Sequence, residues 1–144
     1  MLKPQEFKDA IYSGVKEFSD LYFRSIDFGE IDAPDTKFQN CVFIKCNFMD
    51  ANFERSDLSG CYLAYSNFQG ARLLYAKFNR AILYRADLHF AECRGAVFTE
   101  ALISRRFVRE ARNIDISDVI NNFDQTTNRV KEPFKVEDID VGHT

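Results

Sequence analysis

The chain has 144 residues, 46% of them hydrophobic and 28% charged, which suits one domain with a core of its own. A formal net charge of −3 offers no bulk attraction to nucleic acid or to an anionic membrane. No run approaches the roughly 18 apolar residues of a membrane span, and the opening residues lack the apolar stretch of a signal peptide. The expected setting is a soluble, cytoplasmic one.

Residues 1–17 predict a cap. Pro4 suits a first helical turn, Phe7, Ile11 and Val15 recur at every fourth position, and Gly14 suits a helix stop. A short helix is predicted from about Pro4 to Ser13, covering one open end of the coil built by the residues after it.

From Phe18 a period of five takes over. It begins in degenerate form: Phe18, Phe23 and Phe28 hold its centre while Leu21, Ile26 and Ile31 fill the position two residues before a centre. Ala33 then stands at a centre and is followed by Pro34, expected to interrupt backbone pairing on that side. From Thr36 to Ile103 the register is unbroken. Its centres are Phe38, Phe43, Phe48, Phe53, Leu58, Leu63, Phe68, Leu73, Phe78, Leu83, Leu88, Cys93, Phe98 and Ile103. Two residues before each stands a small one: Thr36, Cys41, Cys46, Ala51, Ser56, Cys61, Ser66, then Ala71, Ala76, Ala81, Ala86, Ala91, Ala96 and Ala101. A helix period near 3.6 or a strand period of 2 cannot generate this pattern, whereas a fixed internal repeat can.

Residues two apart on an extended segment point the same way, so the small and the large residue face one interior. A one-sided five-residue segment cannot bury its apolar face alone, so the chain must coil and stack on itself. Alternating small and bulky residues then fill the layers without voids. The unit reads small, polar, Leu or Phe, and two outward residues, as in Ala51-Asn52-Phe53-Glu54-Arg55, Ser56-Asp57-Leu58-Ser59-Gly60 and Ala86-Asp87-Leu88-His89-Phe90.

These residues resemble the pentapeptide-repeat family over roughly residues 18–103. The resemblance implies an all-β solenoid, a right-handed quadrilateral β-helix with one pentapeptide per side and twenty residues per coil. Known members include proteins that protect DNA gyrase from quinolones, cyanobacterial proteins and bacterial effectors. In coils of twenty the first wall has centres Phe18, Phe38, Leu58, Phe78 and Phe98, and the second Phe23, Phe43, Leu63, Leu83 and Ile103. The third has Phe28, Phe48, Phe68 and Leu88, and the fourth Ala33, Phe53, Leu73 and Cys93. Aromatic side chains are expected to stack in columns within a wall. Cys41, Cys46, Cys61 and Cys93 all fall on inward positions, so packing explains them and four free thiols are expected.

Beyond Ile103 the register fades into Ser104–Arg112, which holds four arginines against Glu110 and reads as a solvated edge of the cap. Asp115 as N-cap, with Ile116, Val119, Ile120 and Phe123 at helical spacing, predicts a helix over about Ile116–Phe123. The domain plan is thus an N-terminal helical cap (1–17), the β-helix (18–103), a C-terminal cap (104–125) and a tail (126–144).

Catalysis finds no motif. His89 and His143 have no partner at metal or triad spacing, and no nucleophile elbow, Gly-rich phosphate loop or Cys-x-x-Cys occurs. Outward carboxylates such as Asp57 and Asp87 have a structural use, bonding the backbone of their own turn. No enzyme activity, cofactor or metal is expected.

One column departs from the repeat. On the second wall the outward residue before each centre is Tyr22, Val42, Tyr62, Ile82 and Leu102, where the unit ordinarily places Asp or Asn. Ile44, Ala64, Tyr84 and Tyr65 lie beside them. The eight side chains Tyr22, Val42, Ile44, Tyr62, Tyr65, Ile82, Tyr84 and Leu102 are the candidate interaction face. Such a face suits a binding or scaffold module with a protein partner or a second copy of the chain, unless the tail covers it with Phe134, Val136, Ile139 and Val141. The alternative implied by the resemblance is a regulator of DNA gyrase or topoisomerase that imitates duplex DNA. That role needs an acidic face. Residues 36–103 carry eight Lys/Arg against six Asp/Glu, so neither mimicry nor direct nucleic-acid binding is favoured.

Overall fold

The computed structural model describes residues 1–119 and, beyond them, the backbone pairing of residues 123–124 with 129–130. Helix α1 (Pro4–Tyr12) opens the chain. The Lys3 N–H donates to Glu6 Oε1 at 2.8 Å, and Gly14, at φ 96°, closes the helix end. The buried residues of α1 are Phe7 and Ile11. The Phe7 ring lies 5.0 Å from Phe18, 5.4 Å from Phe23 and 5.2 Å from Phe28, plugging the first coil from below. An open solenoid end would expose both apolar interior and unpaired backbone, and α1 removes that exposure.

Every coil then pairs with the next by one parallel step of twenty residues. Strand β1 (Glu17–Ser19) pairs with β3 (Lys37–Gln39), matching Phe18 to Phe38. Strand β2 (Tyr22–Arg24) pairs with β4 (Val42–Ile44), matching Tyr22 to Val42. Higher up, each wall contributes a single bridge per coil: Asn47 to Asn67, Asp57 to Lys77, Ile82 to Leu102, Glu92 to Arg112. The chain is thus a right-handed, four-sided β-helix.

The five-residue unit leaves few backbone groups unsatisfied. In a typical unit the polar residue donates back one coil (Asp57 N to Thr36 O, 2.8 Å) and the centre residue donates forward (Leu58 N to Lys77 O, 2.8 Å). The fifth residue also donates forward (Gly60 N to Asn79 O, 2.9 Å), and the next small residue closes the corner (Cys61 N to Leu58 O, 3.1 Å). The fifth residue turns that corner in the left-handed region, with φ between 54° and 62° at Asn40, Lys45, Arg55, Tyr65, Tyr75, Arg85 and Phe90. A non-glycine residue there costs about 1–2 kcal/mol, and these corners persist because the coils above and below fix them.

Inside, all the centres and small positions of residues 36–103 are buried. The Phe columns form as expected. Phe28 and Phe48 rings stack at 5.6 Å, Phe48 and Phe68 at 5.1 Å, and Phe78 and Phe98 at 5.1 Å. Polar small residues are satisfied by the coil below: Ser56 Oγ donates to Ala33 O at 2.6 Å and Ser66 Oγ to Phe43 O at 3.0 Å. Cysteine repeats the pattern, with Cys46 Sγ 3.5 Å from Phe23 O and Cys61 Sγ 3.4 Å from Phe38 O. All four cysteines are free and buried. Burial pushes the Cys46 and Cys93 thiols up to about 12, and the bond with Cys41, reinforced by burial, also raises Cys61.

Two expectations need correction. Pro34 does not interrupt the ladder: Ala33 N reaches Asn52 O at 2.8 Å and Asp35 N reaches Glu54 O at 2.9 Å. Pro34 occupies the residue after the centre, whose N–H at Glu54, one coil on, turns to the Asn52 side chain and not to the ladder, so no ladder bond is lost. The helix expected over about Ile116–Phe123 is absent from its described part, where Ser117–Asp118 is a turn and Phe123–Asp124 is strand β5, antiparallel to β6 (Arg129–Val130). Asp115 does accept the Ser117 N–H at 3.0 Å, but the Asp118 carbonyl accepts the Glu100 N–H at 2.9 Å, continuing the coil where a helix would turn away. The repeat itself runs on past Ile103 through a short 3-10 turn (Arg105–Val108) to Arg112. Val108 is buried against the core, and Ala111, Ile114, Ile116 and Val119 pack on it at this end. The expected tail, with Phe134, Val136, Ile139 and Val141, lies outside the described residues.

The inward register makes two outcomes testable. Ala76 is fully buried and its neighbour Lys77 exposed. Ala76→Phe is expected to cost ~1–3 kcal/mol or more by overpacking, read from the denaturant midpoint. Lys77→Ala is expected to stay within about ±0.5 kcal/mol, and equal shifts would refute the register. A thiol reagent should label all four cysteines only as fast as the protein unfolds; rapid labelling of the native protein would show they do not face inward.

Candidate interaction face

On most of the outer surface, the polar residue before the centre has a local task. Its side-chain oxygen accepts the N–H two residues on: Asp27 from Gly29, Asn47 from Met49, Asn52 from Glu54, Asp57 from Ser59, Asn67 from Gln69, Asp87 from His89, all at 2.9–3.0 Å. Adjacent coils are also tied, as Asn47 Nδ2 donates to Asp27 and Asn52 Nδ2 to Asp32. These bonds hold Asp27 below the usual carboxylate range, the Gly29 N–H contributing most and Asn47 next. Asp57 and Asp87 therefore have the structural use read for them.

The second wall abandons this chemistry. Tyr22, Val42, Tyr62, Ile82 and Leu102 cannot accept the turn N–H, and each is aligned with the next through the parallel ladder. All but Tyr62 gather in two apolar clusters separate from the interior: Tyr22, Val42 and Ile44, with Tyr65 beside them, and Ala64, Tyr84 and Leu102, with Tyr65 and Ile82. Seven of the eight candidate residues lie in these clusters, and Tyr62 is joined to Val42 and Ile82 through the parallel bridges alone. Their exposure is not uniform. Tyr62 is 37% exposed and Tyr65 and Ile82 are half-buried, whereas Tyr22, Val42, Ile44, Tyr84 and Leu102 are buried.

A feature not anticipated from the sequence borders this wall. The Lys45 ammonium lies 5.8 Å from the Tyr65 ring centre, and the Arg85 guanidinium 5.9 Å from that of Tyr84. The Tyr65 and Tyr84 rings meet edge to face at 5.5 Å. The signal was in the corner column Ser25, Lys45, Tyr65, Arg85, Arg105, which is cationic at three of five coils.

Other surfaces offer less. A groove of about 300 Å³ opens beside Gly60 between Ser59, Asn79, Arg80, Thr99 and Glu100, but its one cation, Arg80, is paired with Glu100 at 3.0 Å. His89, expected to be exposed, is half-buried, with Nδ1 2.8 Å from Asp87 Oδ1. Gln69 also donates to Asp87, so this carboxylate ties two coils together. Among the described residues no cluster of His, Cys, Asp and Glu could hold a metal ion, and no helix is long and apolar enough to cross a membrane.

Comparison with known proteins agrees with this geometry. The family model for pentapeptide repeats matches in eight copies, with residues 17–55, 26–63 and 46–83 among the matched stretches. A pentapeptide repeat protein (Rfr23) from the cyanobacterium Cyanothece 51142 superposes with a TM-score of 0.67 at 15% identity, over 74% of this chain and 88% of its own. HetL from Nostoc sp. strain PCC 7120, involved in heterocyst differentiation regulation, gives a TM-score of 0.34 at 14% identity, over 73% of this chain and 53% of its own. QnrB1, a plasmid-mediated fluoroquinolone resistance protein, gives 0.40 at 18% identity, over 73% of this chain and 59% of its own. The first likeness is one of fold. No curated protein sequence matches significantly. The five-residue register, the twenty-residue ladder and the family model coincide over the same residues, and the chain belongs to the pentapeptide-repeat family.

Proposed function

We propose that this protein is a non-enzymatic binding module, a rigid scaffold that engages a protein partner through the second wall of its β-helix. One observation carries the proposal: the Tyr22–Val42–Tyr62–Ile82–Leu102 column is apolar where the third wall carries polar residues bonded to their own turns at every rung. Each rung of that column forgoes a turn bond worth about 1 kcal/mol, and Tyr62 does so while remaining exposed. Adjoining tyrosines with cations on their rings make the kind of surface that protein interfaces favour. The non-enzymatic reading is supported by Asp57, Asp87 and Asn67, whose side chains are already engaged with the backbone. A DNA-imitating role has no comparable support, because residues 36–103 carry more Lys and Arg than Asp and Glu.

The test compares two double variants as bait or in self-association. Tyr62→Arg with Ile82→Arg is expected to keep the circular dichroism of the coil and to lose the bound protein. Lys37→Ala with Lys77→Ala, on the first wall, should retain it. Equal binding by both variants would overturn the assignment of the second wall, and protection of purified gyrase from a quinolone would overturn the scaffold reading itself.

A further inference from the structure

The second corner, where the second wall turns into the third, gathers cations that no described carboxylate neutralises. Its column runs Ser25, Lys45, Tyr65, Arg85 and Arg105. The Ile82–Leu102 bridge and the Leu88 N–H, which donates to Phe107 O at 2.9 Å, place Arg105 one coil beyond Arg85. Lys45, Arg85, Arg105 and the adjoining Arg106 are all exposed. Aromatic rings hold two of the guanidinium groups. Arg85 lies 5.9 Å from the Tyr84 ring centre and 6.0 Å from that of Phe107, and Arg106 lies 6.0 Å from Phe107 on its own account. A guanidinium held against a ring keeps its N–H edge for an acceptor, in the planar fork that matches a carboxylate.

The described residues supply this corner with no acid. Elsewhere Arg55 pairs with Asp35 and Glu54, Arg72 with Glu54 and Arg80 with Glu100. Among the described residues none of the four corner cations is so paired. Asp87, on the adjoining third wall, is taken by the His89 N–H and the Gln69 amide. Glu110, the one acid of Ser104–Arg112, stands twenty residues after Phe90 and so at the next corner. Arg85 and Arg105 are one coil apart, about 4.8 Å at the backbone, and their charges repel until an anion comes between them.

We propose that the protein partner of the second wall is acidic, with carboxylates that pair with Lys45, Arg85, Arg105 and Arg106 while neighbouring apolar side chains meet Tyr62 and Ile82. This inference rests on the reading of that wall as the binding surface and adds the charge of what binds there. A polyphosphate strand fits less well, because the cations border an apolar wall and the chain as a whole carries −3. Complementary charge of this kind selects the partner and speeds its arrival.

The experiment titrates the full chain into a short fluorescent peptide of Asp and Glu with Leu at every third residue, read by anisotropy. A counterpart carries Asn and Gln in place of the acids. The acidic peptide is expected to bind, more weakly as salt rises, and the neutral one to bind at least about tenfold more weakly. Arg85→Gln with Arg106→Gln should cost the acidic peptide a similar factor while leaving the thermal transition of the β-helix in place. Lys37→Ala with Lys77→Ala, on the first wall, should cost it nothing. Equal binding of the two peptides by the unmodified chain would overturn the acidic partner, and this comparison depends on no variant folding. Undiminished binding by the arginine variant would overturn it as well, as would tighter binding of a single-stranded DNA of matched charge. Tyr62→Ser with Ile82→Ser tests the wall separately. If that variant binds as the unmodified chain does while the arginine variant fails, the reading of the wall falls and the corner stands; the reverse result removes the corner and keeps the wall.

Discussion

The parallel hydrogen bond to the coil twenty residues away is the constraint on which the rest depends. Three of the five peptide N–H groups in a typical unit find their partners across coils, so each side must repeat in length and direction. Five residues per side are enough only if one of them turns the corner left-handed, as Lys45, Tyr65 and Arg85 do. Each such corner costs about 1–2 kcal/mol, comparable to the net gain of about 1 kcal/mol from the bond its N–H makes. The ladder thus fixes geometry without supplying much stability. The inward Phe and Leu supply it, at about 1.5–3 kcal/mol for each fully buried side chain.

The same constraint explains why the outer surface is divided into columns. With every residue stacked over its counterpart twenty positions away, a choice made at one rung is repeated or contradicted at the next. On the third wall Asp27 and Asn47 reinforce one another across coils, and at the fourth corner Arg55 pairs with Asp35 at 2.7 Å. On the second wall the stacked choice is apolar. Stacking concentrates those side chains into one surface, where scattered apolar residues would have had no common partner.

Much of this was legible from residue types. The centres and small positions announced the interior, and α1 ends one residue short of the Pro4–Ser13 span expected. The apolar column was visible because the repeat tells which residues stack. What failed had a common cause. Asp115 is the same signal for a helix cap and for a closed turn, and the demand that decided between them, the Glu100 N–H reaching for Asp118, lies eighteen residues away. Pro34 looked like an interruption because its place relative to the donors was unknown. The burial of Ile44 and Tyr84 could not be read either, since the repeat tells which residues stack and not how deep an outward side chain lies.

The central claim is that twenty residues, in register, are the structural unit. Removing residues 56–75 joins Arg55 to Ala76 and deletes one whole coil, keeping every remaining column aligned. Removing residues 58–75 joins Asp57 to Ala76 and puts small residues where bulky centres belonged. Thermal unfolding followed by circular dichroism compares the two directly. The full-coil deletion should melt in one cooperative transition with the β-helix signal retained, and the shorter deletion should lose that transition. Similar melting of the two variants, or a better-folded product from the shorter deletion, would contradict the account.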